Sequence, residues 1–194
     1  MKADQSEITG TLRFGYLIGT RLPANTVSAF RAFSAQYPHI DVIFQQMELP
    51  SLLDEIKNGA LDLAVFPQID SYGASDLSSR TIETGALRLV FPSEIRSKPF
   101  SIEFFRELDG RDVFVINELQ YPCIYIAGKE LCDHMERSRL VVLSNISTLL
   151  QRLHTDQCVA VLGPDFDQPL PEGATSVELN PDRGVPRTLV WRKA

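Results

Sequence analysis

The sequence predicts an α/β protein built from two Rossmann-like lobes, and three patterns indicate this fold. Apolar strands alternate with single amphipathic helices, which favours a doubly wound parallel sheet because parallel neighbours need a crossover connection. The alternation stops after residue 67 and restarts at residue 85. One strand, helix, strand unit also recurs, since "SLLDEIKNGALDLAVFP" (51–67) aligns without a gap on "TLLQRLHTDQCVAVLGP" (148–164). A true duplication and two generic units that obey the same packing rules both account for this repeat, and both give two similar lobes.

The first lobe opens with a predicted strand, "TLRFGYLI" (11–18), which ends at a Gly-Thr turn. A helix is expected between Pro23 and Pro38, because proline suits the first helical position, apolar residues recur at helical spacing and a second proline stops the pattern. "IDVIFQQM" (40–47) predicts the second strand. The helix therefore serves as the crossover between two parallel strands.

The next unit carries a charged residue in an apolar strand. An amphipathic helix is predicted over 49–58, with Gly59 in a left-handed cap, and the third strand follows in "NGALDLAVF" (58–66). Asp62 lies near the start of that strand, away from the end where ligands bind, and the repeat has Val159 at the same place. Since buried charges persist only when they are paired, we predict a scaffold role for Asp62, accepting hydrogen bonds from backbone N–H groups.

The second lobe is predicted to begin where the polar, turn-rich stretch after residue 67 ends. The expected elements are the strand 85–91, a short helix capped by Ser101, the strand 112–116, a helix over 124–136 and the strand 139–143. We assign 8–84 and 168–194 to the first lobe and 85–167 to the second.

Composition excludes several classes of function. With 44% hydrophobic and 23% charged residues, the 194-residue chain is typical of globular proteins. Its net charge of -6 argues against direct binding of nucleic acid, where clustered basic residues supply most of the affinity. The N-terminus "MKADQSEITG" lacks the apolar core of an export signal, and no run approaches a membrane span, so a cytoplasmic location is expected.

Catalytic and metal-binding patterns are sparse. The three cysteines form no CxxC pair and no Cys/His cluster, which fits neither a disulfide framework nor a metal site. The sequence contains no GxSxG elbow, no Walker loop and no GxGxxG after a strand, and no histidine has a recognisable nucleophile partner. We therefore predict no catalytic residue, no cofactor and no enzymatic activity.

A ligand site is predicted at the carboxyl ends of the strands, where open α/β sheets bind their ligands. Helix N-termini there can receive an anion, and Arg21 could hold a carboxylate, whereas Glu48 would compete with an anion for the same N–H groups. Helix capping is an equal alternative for Ser51, Asn145 and Ser147. The predicted effector-binding residues are Ile18, Gly19, Thr20, Arg21, Glu48, Leu49, Pro50, Ser51, Phe66, Pro67, Gln68, Asn117, Tyr121, Tyr125, Asn145 and Ser147.

Several stretches resemble a known family, the LysR-type transcriptional regulators. "GTLRFGYL", "LPANTVSAFRAFSAQYPHIDVIFQQ" and "LLDEIKNGALDLAVF" are similar to the opening strand, first helix and L-D-L-A strand of the family's effector-binding domain. "LLQRLHTDQCVAVLGP" takes the place of the second-lobe motif, and "PRTLVWRK" resembles the last strand, which returns to the first lobe. The resemblance is specific over about 10–67 and looser, but in the same order, beyond it.

The resemblance implies a fold like the type 2 periplasmic binding proteins, with a small-molecule effector, such as a small organic acid, in a central cleft between the lobes. It also implies a homodimer or tetramer that contacts DNA only through a winged helix-turn-helix. That domain would precede Gly10, so we expect this chain to be a regulatory fragment. Departures from the family pattern include Leu49 and Pro67, where Ser or Thr and a basic residue occur in some members, and Gln157 and Val159, which replace motif glycines.

Two alternatives remain open. Cys123 and Cys132 have the spacing and rough location of the redox cysteines in the peroxide-sensing branch of the family, so a redox-sensing regulatory domain is one of them. A sensing thiol needs a lowered pKa and cationic neighbours, and no basic residue follows Cys123 before Lys129. The other alternative is a free-standing solute-binding protein, which the missing export signal disfavours.

Overall fold

The computed structural model describes residues 8–67, 76–155, 158–164, 166, 169–179 and 184–193. The strands are β1 (Gly10–Leu17), β2 (Ile40–Met47), β3 (Leu63–Pro67), β4 (Leu77–Gly85), β5 (Leu87–Pro92), β6 (Val113–Ile116), β7 (Leu140–Leu143), β8 (Val159–Leu162), β9 (Ala174–Leu179) and β10 (Val185–Arg192). The helices are α1 (Ala24–Gln36), α2 (Leu49–Asn58), α3 (Ile102–Leu108), α4 (Pro122–Cys132) and α5 (Ile146–Thr155). The chain forms two compact units: unit 1 is Met1–Thr84 with Pro186–Ala194, and unit 2 is Gly85–Val185.

Unit 1 has one five-stranded sheet in the order β2-β1-β3-β10-β4. β1 lies parallel to β2 and β3, as the crossover helices require. β10 pairs antiparallel with β3, so the sheet is mixed, whereas the alternation of strands and helices predicted parallel pairing. The reason is connectivity: β10 comes from the far end of the chain and enters the sheet without a crossover helix.

The two helices of unit 1 pack differently. The side chains of Leu52 and Ile56 on α2 are fully buried, and Gly15 on β1 permits this close packing, since a Cβ there would lie 2.5 Å from Leu52 Cδ2. Gly59 ends α2 with φ 77°, which confirms the predicted left-handed cap. On α1, Phe30 packs edge-on against Phe14 at 4.7 Å between ring centroids and is itself only half-buried.

Unit 2 repeats this topology, with the sheet order β7-β6-β8-β5-β9. β6 lies parallel to β7 and β8, while β5 pairs antiparallel with β8 and β9. Leu149 and Leu153 on α5 are 0% and 6% exposed, matching the buried leucine and isoleucine of α2 at the aligned positions. The predicted structural repeat is therefore confirmed in topology and in packing.

The structure corrects several sequence-based boundaries. β4 lies partly in the polar, turn-rich stretch that was predicted to link the lobes. The sequence did not predict this strand, because its side chains are mostly exposed and show no apolar alternation. β9 was not predicted, and its pairing with β5 places much of the segment 168–185 in unit 2, although the prediction gave it to the first lobe. The helix predicted over 124–136 is α4, which begins at Pro122 and ends at Cys132. The capping role of Ser101 is confirmed, since its Oγ accepts a hydrogen bond from Phe104 N at 3.2 Å.

No helix in the described part of the chain has the length and apolar character needed to cross a membrane.

Candidate functional site

The carboxyl ends of β1 and β2 lie side by side in unit 1. Leu17 is the register partner of Met47, and the N–H of Ile18 donates to the Met47 carbonyl at 3.1 Å. The loop after β1 is held by its own bonds: Gly19 has φ 77°, and the Thr20 hydroxyl donates to the Leu17 carbonyl at 2.7 Å. These hydrogen-bonded residues form what we call the polar rim of unit 1, at the end of the sheet where the sequence predicted a ligand site.

The rim has one polar residue, Gln46, that was not predicted from the sequence. The side chain of Gln46 donates from Nε2 to the Thr20 carbonyl at 3.2 Å, which ties the end of β2 to the loop after β1. Its signal was weak, because a glutamine near the end of a strand is ordinary surface chemistry.

The first turn of α2 begins at this rim. Glu48 is the N-cap residue and makes no capping hydrogen bond with its side chain. Ser51 is the third helical residue and is exposed, so the capping alternative for Ser51 is wrong. The first N–H groups of a helix have no acceptor inside the helix, and Pro50 contributes no N–H. Ser51 therefore offers a hydroxyl and a backbone donor to solvent at the carboxyl end of the sheet.

Unit 2 has an equivalent polar rim where β6 and β7 end. The Asn117 side chain donates from Nδ2 to the Ser144 carbonyl at 3.2 Å and accepts from Gln120 N at 3.1 Å. Asn145 Oδ1 accepts from the N–H and the hydroxyl of Thr148 at 2.9 and 3.0 Å, which makes Asn145 the cap of α5. Ser147 is exposed as the second residue of α5, whereas the residue aligned with Ser51 is Thr148.

The other predicted site residues divide by burial. Leu49 and Phe66 are each 1% exposed and Tyr121 is 8% exposed, so these side chains stabilise the core of their units. Pro67 is also buried. Residues that are exposed or half-buried at the strand ends and first helical turns are Ile18, Gly19, Arg21, Glu48, Pro50 and Tyr125. Gln68 lies outside the described residues.

A buried arginine lies at the carboxyl end of β3. Arg187 is the register partner of Pro67 and is only 6% exposed. Its Nη1 donates to Glu83 Oε2 at 3.1 Å, and this carboxylate is partly solvated. Arg187 was not among the predicted site residues, although the sequence carried one signal: it is a charged residue inside an otherwise apolar strand. The antiparallel register is what brings it to the ligand end of the sheet.

Asp62 lies at the opposite end of β3 and acts as scaffold. Its Oδ2 accepts a hydrogen bond from Arg13 N at 2.8 Å and faces Arg13 Nε at 3.3 Å. The backbone N–H of Asp62 in turn donates to the Arg13 carbonyl at 2.9 Å. The predicted backbone-accepting role is confirmed, and the partly exposed ion pair adds little to stability because solvent screens it.

The two candidate redox cysteines lie at opposite ends of α4. Cys123 is the second helical residue and Cys132 is the last. At about 1.5 Å of rise per residue, their Cα atoms are separated by roughly 13 Å along the axis, whereas a disulfide needs less than about 7 Å. Burial and the neighbouring carboxylate of Asp133 raise the pKa of the Cys132 thiol. A raised pKa lowers the thiolate fraction, which is the reactive form.

Potential metal ligands do not cluster: no group of three His, Cys, Asp or Glu side chains that could hold an ion occurs among the described residues.

The fold of the chain is similar to that of LysR-type regulatory and effector-binding domains of known structure. The reduced regulatory domain of OxyR2 from Vibrio vulnificus aligns over 100% of this chain and 91% of its own, with TM-score 0.70 and 15% identity. The effector-binding domain of BenM with its effector benzoate gives TM-score 0.68 and 12% identity over 97% of this chain and 85% of its own. CbnR, a LysR family transcriptional regulator, gives TM-score 0.67 and 16% identity over 95% of this chain and 64% of its own.

No protein-family model and no curated protein sequence matches the chain. At these identities the structural likeness establishes the fold, and the function rests on the chemistry of the sites.

Proposed function

We propose that this chain is the effector-sensing regulatory domain of a LysR-type transcription regulator, and that it binds a small organic molecule at the carboxyl ends of its parallel strands. The observation that carries the proposal is the pair of polar rims, one in each unit, at this end of each sheet. Gln46 and the Thr20 loop form the rim of unit 1, and Asn117 with Ser144 forms that of unit 2.

The chemistry of the rims favours a ligand with hydrogen-bonding oxygens. Ser51 and Ser147 are exposed in the first turns of two helices, where the N–H groups have no acceptor inside the helix and the helix dipole favours negative charge. Glu48 opposes a strongly anionic ligand at the first of these termini. A small molecule with one carboxylate and further hydroxyl or amide groups suits this arrangement better than a dianion.

The proposal extends to assembly and location. In the protein that contains this domain, a winged helix-turn-helix outside the described units would read DNA, consistent with the acidic charge of -6 on this chain. Homodimers or tetramers would present two or more such DNA-reading domains, and the protein would work in the cytoplasm without catalysing a reaction.

Ligand-induced thermal stabilisation tests the proposal. The purified chain is screened against small organic acids, amino acids and sugars, and hits are confirmed by calorimetry. Binding to the folded state alone at about one hundred times the Kd would add about 2.7 kcal/mol of stability. Ser51→Trp places an indole at the first turn of α2 and should abolish the response.

Ser28→Trp is the matched control, because Ser28 is also an exposed helical serine but lies on α1. Asp62→Asn, at the other end of β3, should also keep the response. A ligand response that survives in both Thr20→Trp and Ser51→Trp would contradict the proposed location of the site.

The geometry of α4 argues against the alternative that this domain senses peroxide through Cys123 and Cys132. The intact helix keeps Cys123 and Cys132 too far apart to bridge, and the raised pKa of Cys132 opposes activation of its thiol. We therefore propose metabolite sensing in preference to peroxide sensing.

A further inference from the structure

A cavity lies in unit 1, on the face of the sheet that α1 covers, and we call it the α1 groove. Its volume is about 550 Å³, within the roughly 300–1,000 Å³ range of small-molecule sites. Leu12, Leu63 and Leu189 form its floor, Ala29 and Phe30 on α1 form one wall, and Arg80 lies on the β4 wall.

The groove follows from the width of the sheet. Five strands about 4.8 Å apart span roughly 19 Å between the outer strands, whereas one helix is only about 10 Å wide. Phe30 places α1 over β1 and β2, because its ring centroid lies 4.7 Å from that of Phe14 on β1 and 5.0 Å from that of Phe44 on β2. Leu63 on β3 and Leu189 on β10 are left half-buried. This strip of sheet is apolar and accessible from solvent.

The polar groups of the groove are unevenly satisfied. Asn25 Nδ2 donates to the Ile82 carbonyl at 3.0 Å, and Asn25 Oδ1 accepts from Thr26 N at 2.7 Å, so α1 is tied to β4 at one end. Arg80 differs, because its side chain is exposed at the edge of the groove. Among the described residues, no hydrogen bond or ion pair engages it. The groove therefore combines, among the described residues that line it, an apolar floor with the available cation of Arg80.

We propose that the α1 groove is a second ligand site, which takes an amphipathic monocarboxylate with an aromatic or branched aliphatic body. The body lies on Leu63, Leu189 and Phe30, where burial removes apolar surface from water. The carboxylate pairs with the guanidinium of Arg80. This site lies on the α1 face of unit 1 and is separate from the polar rims at the strand ends.

The test uses 2-naphthoate and its uncharged analogue 2-naphthamide as probes in isothermal titration calorimetry. Ala29→Trp fills the groove and should weaken both probes about tenfold or more, whereas Ser28→Trp, one residue away on the same exposed helix, should weaken neither. Arg80→Gln should weaken naphthoate about threefold to tenfold, as expected for a partly solvated ion pair, and leave naphthamide unchanged. Arg31→Gln, an exposed arginine of α1 outside the groove, is the charge control.

Two results would overturn the inference. One is naphthoate affinity that is unchanged in Ala29→Trp. The other is a dimer seen by sedimentation velocity that Ala29→Trp abolishes, since the groove would then be occupied by a second copy of the chain. Loss of naphthoate binding in Ser51→Trp with retention in Ala29→Trp would place the probe at the strand ends, which defeats this inference and leaves the proposed function standing.

Discussion

The packing of α4 on β6 allows a quantitative test, because Gly128 is the residue through which the helix approaches the strand. A Cβ at Gly128 would lie 2.2 Å from Val115 Cγ1 and 3.3 Å from Leu140 Cδ1, whereas ordinary contacts begin at 3.4 Å. Val115 is fully buried and β-branched, so its χ1 is stiff and cannot relieve the overlap cheaply. Gly128→Ala therefore requires α4 or β6 to shift.

The expected magnitudes come from opposing effects. Overpacking at Gly128→Ala costs about 1–3 kcal/mol, and the better helix propensity of alanine returns about 0.5–1 kcal/mol. Val115→Ala removes two buried methyl groups at about 0.8 kcal/mol each and leaves a cavity, for a loss of about 2–3 kcal/mol. In the double variant the new methyl occupies the space of the lost Cγ1. We expect the double variant to be more stable than the sum of the singles predicts, by about 2 kcal/mol.

Native-state hydrogen exchange of the β6 amides measures these free energies at the strand that Gly128 contacts. Lys129→Ala, an exposed neighbour on α4, should change stability by less than about 0.5 kcal/mol. Additivity of the two single changes within about 0.5 kcal/mol would refute the packing described for Gly128.

Two further predictions concern ionisable groups. Hydrogen bonds from the backbone N–H and guanidinium of Arg137 lower the pKa of Asp109. The stability from its ionised carboxylate is therefore present at neutral pH and is lost as pH falls through the folded pKa. In thermal unfolding, Asp109→Asn should therefore destabilise the chain at neutral pH, and its difference from the parent chain should shrink as the pH falls below the ordinary aspartate pKa. For Cys132, iodoacetamide labelling against pH should give an apparent pKa above that of an unfolded cysteine, and Asp133→Asn should bring it down; a pKa below the free value would revive the redox alternative.

The local elements of both units could be predicted from sequence because short-range chemistry specifies them. The α2 stripe, the left-handed Gly59 and the Ser101 cap each depend on residues within a few positions of one another. The repeat could be recognised for the same reason, because the aligned apolar residues of α2 and α5 have the same helical spacing and are buried against their sheets. A scaffold role for Asp62 could be predicted because the residue lies near the start of its strand, away from the carboxyl end where ligands bind.

Long-range pairing decided the rest. β4 and β9 carry little apolar alternation, so only their partners in the sheets make them strands. Arg187 reaches the ligand end of β3 through an antiparallel register between residues 120 positions apart in sequence, Pro67 and Arg187.

The α1 groove exists because the five-stranded sheet is wider than α1 and because Phe30 fixes where α1 lies on it. Neither property can be predicted from a local sequence pattern. The sequence by itself determined the elements that local patterns specify, such as α2 with its Gly59 cap and the short helix capped by Ser101. Only the tertiary structure determined which side chains meet at a strand end and which apolar surface remains uncovered, because both depend on contacts between segments that are distant in the chain.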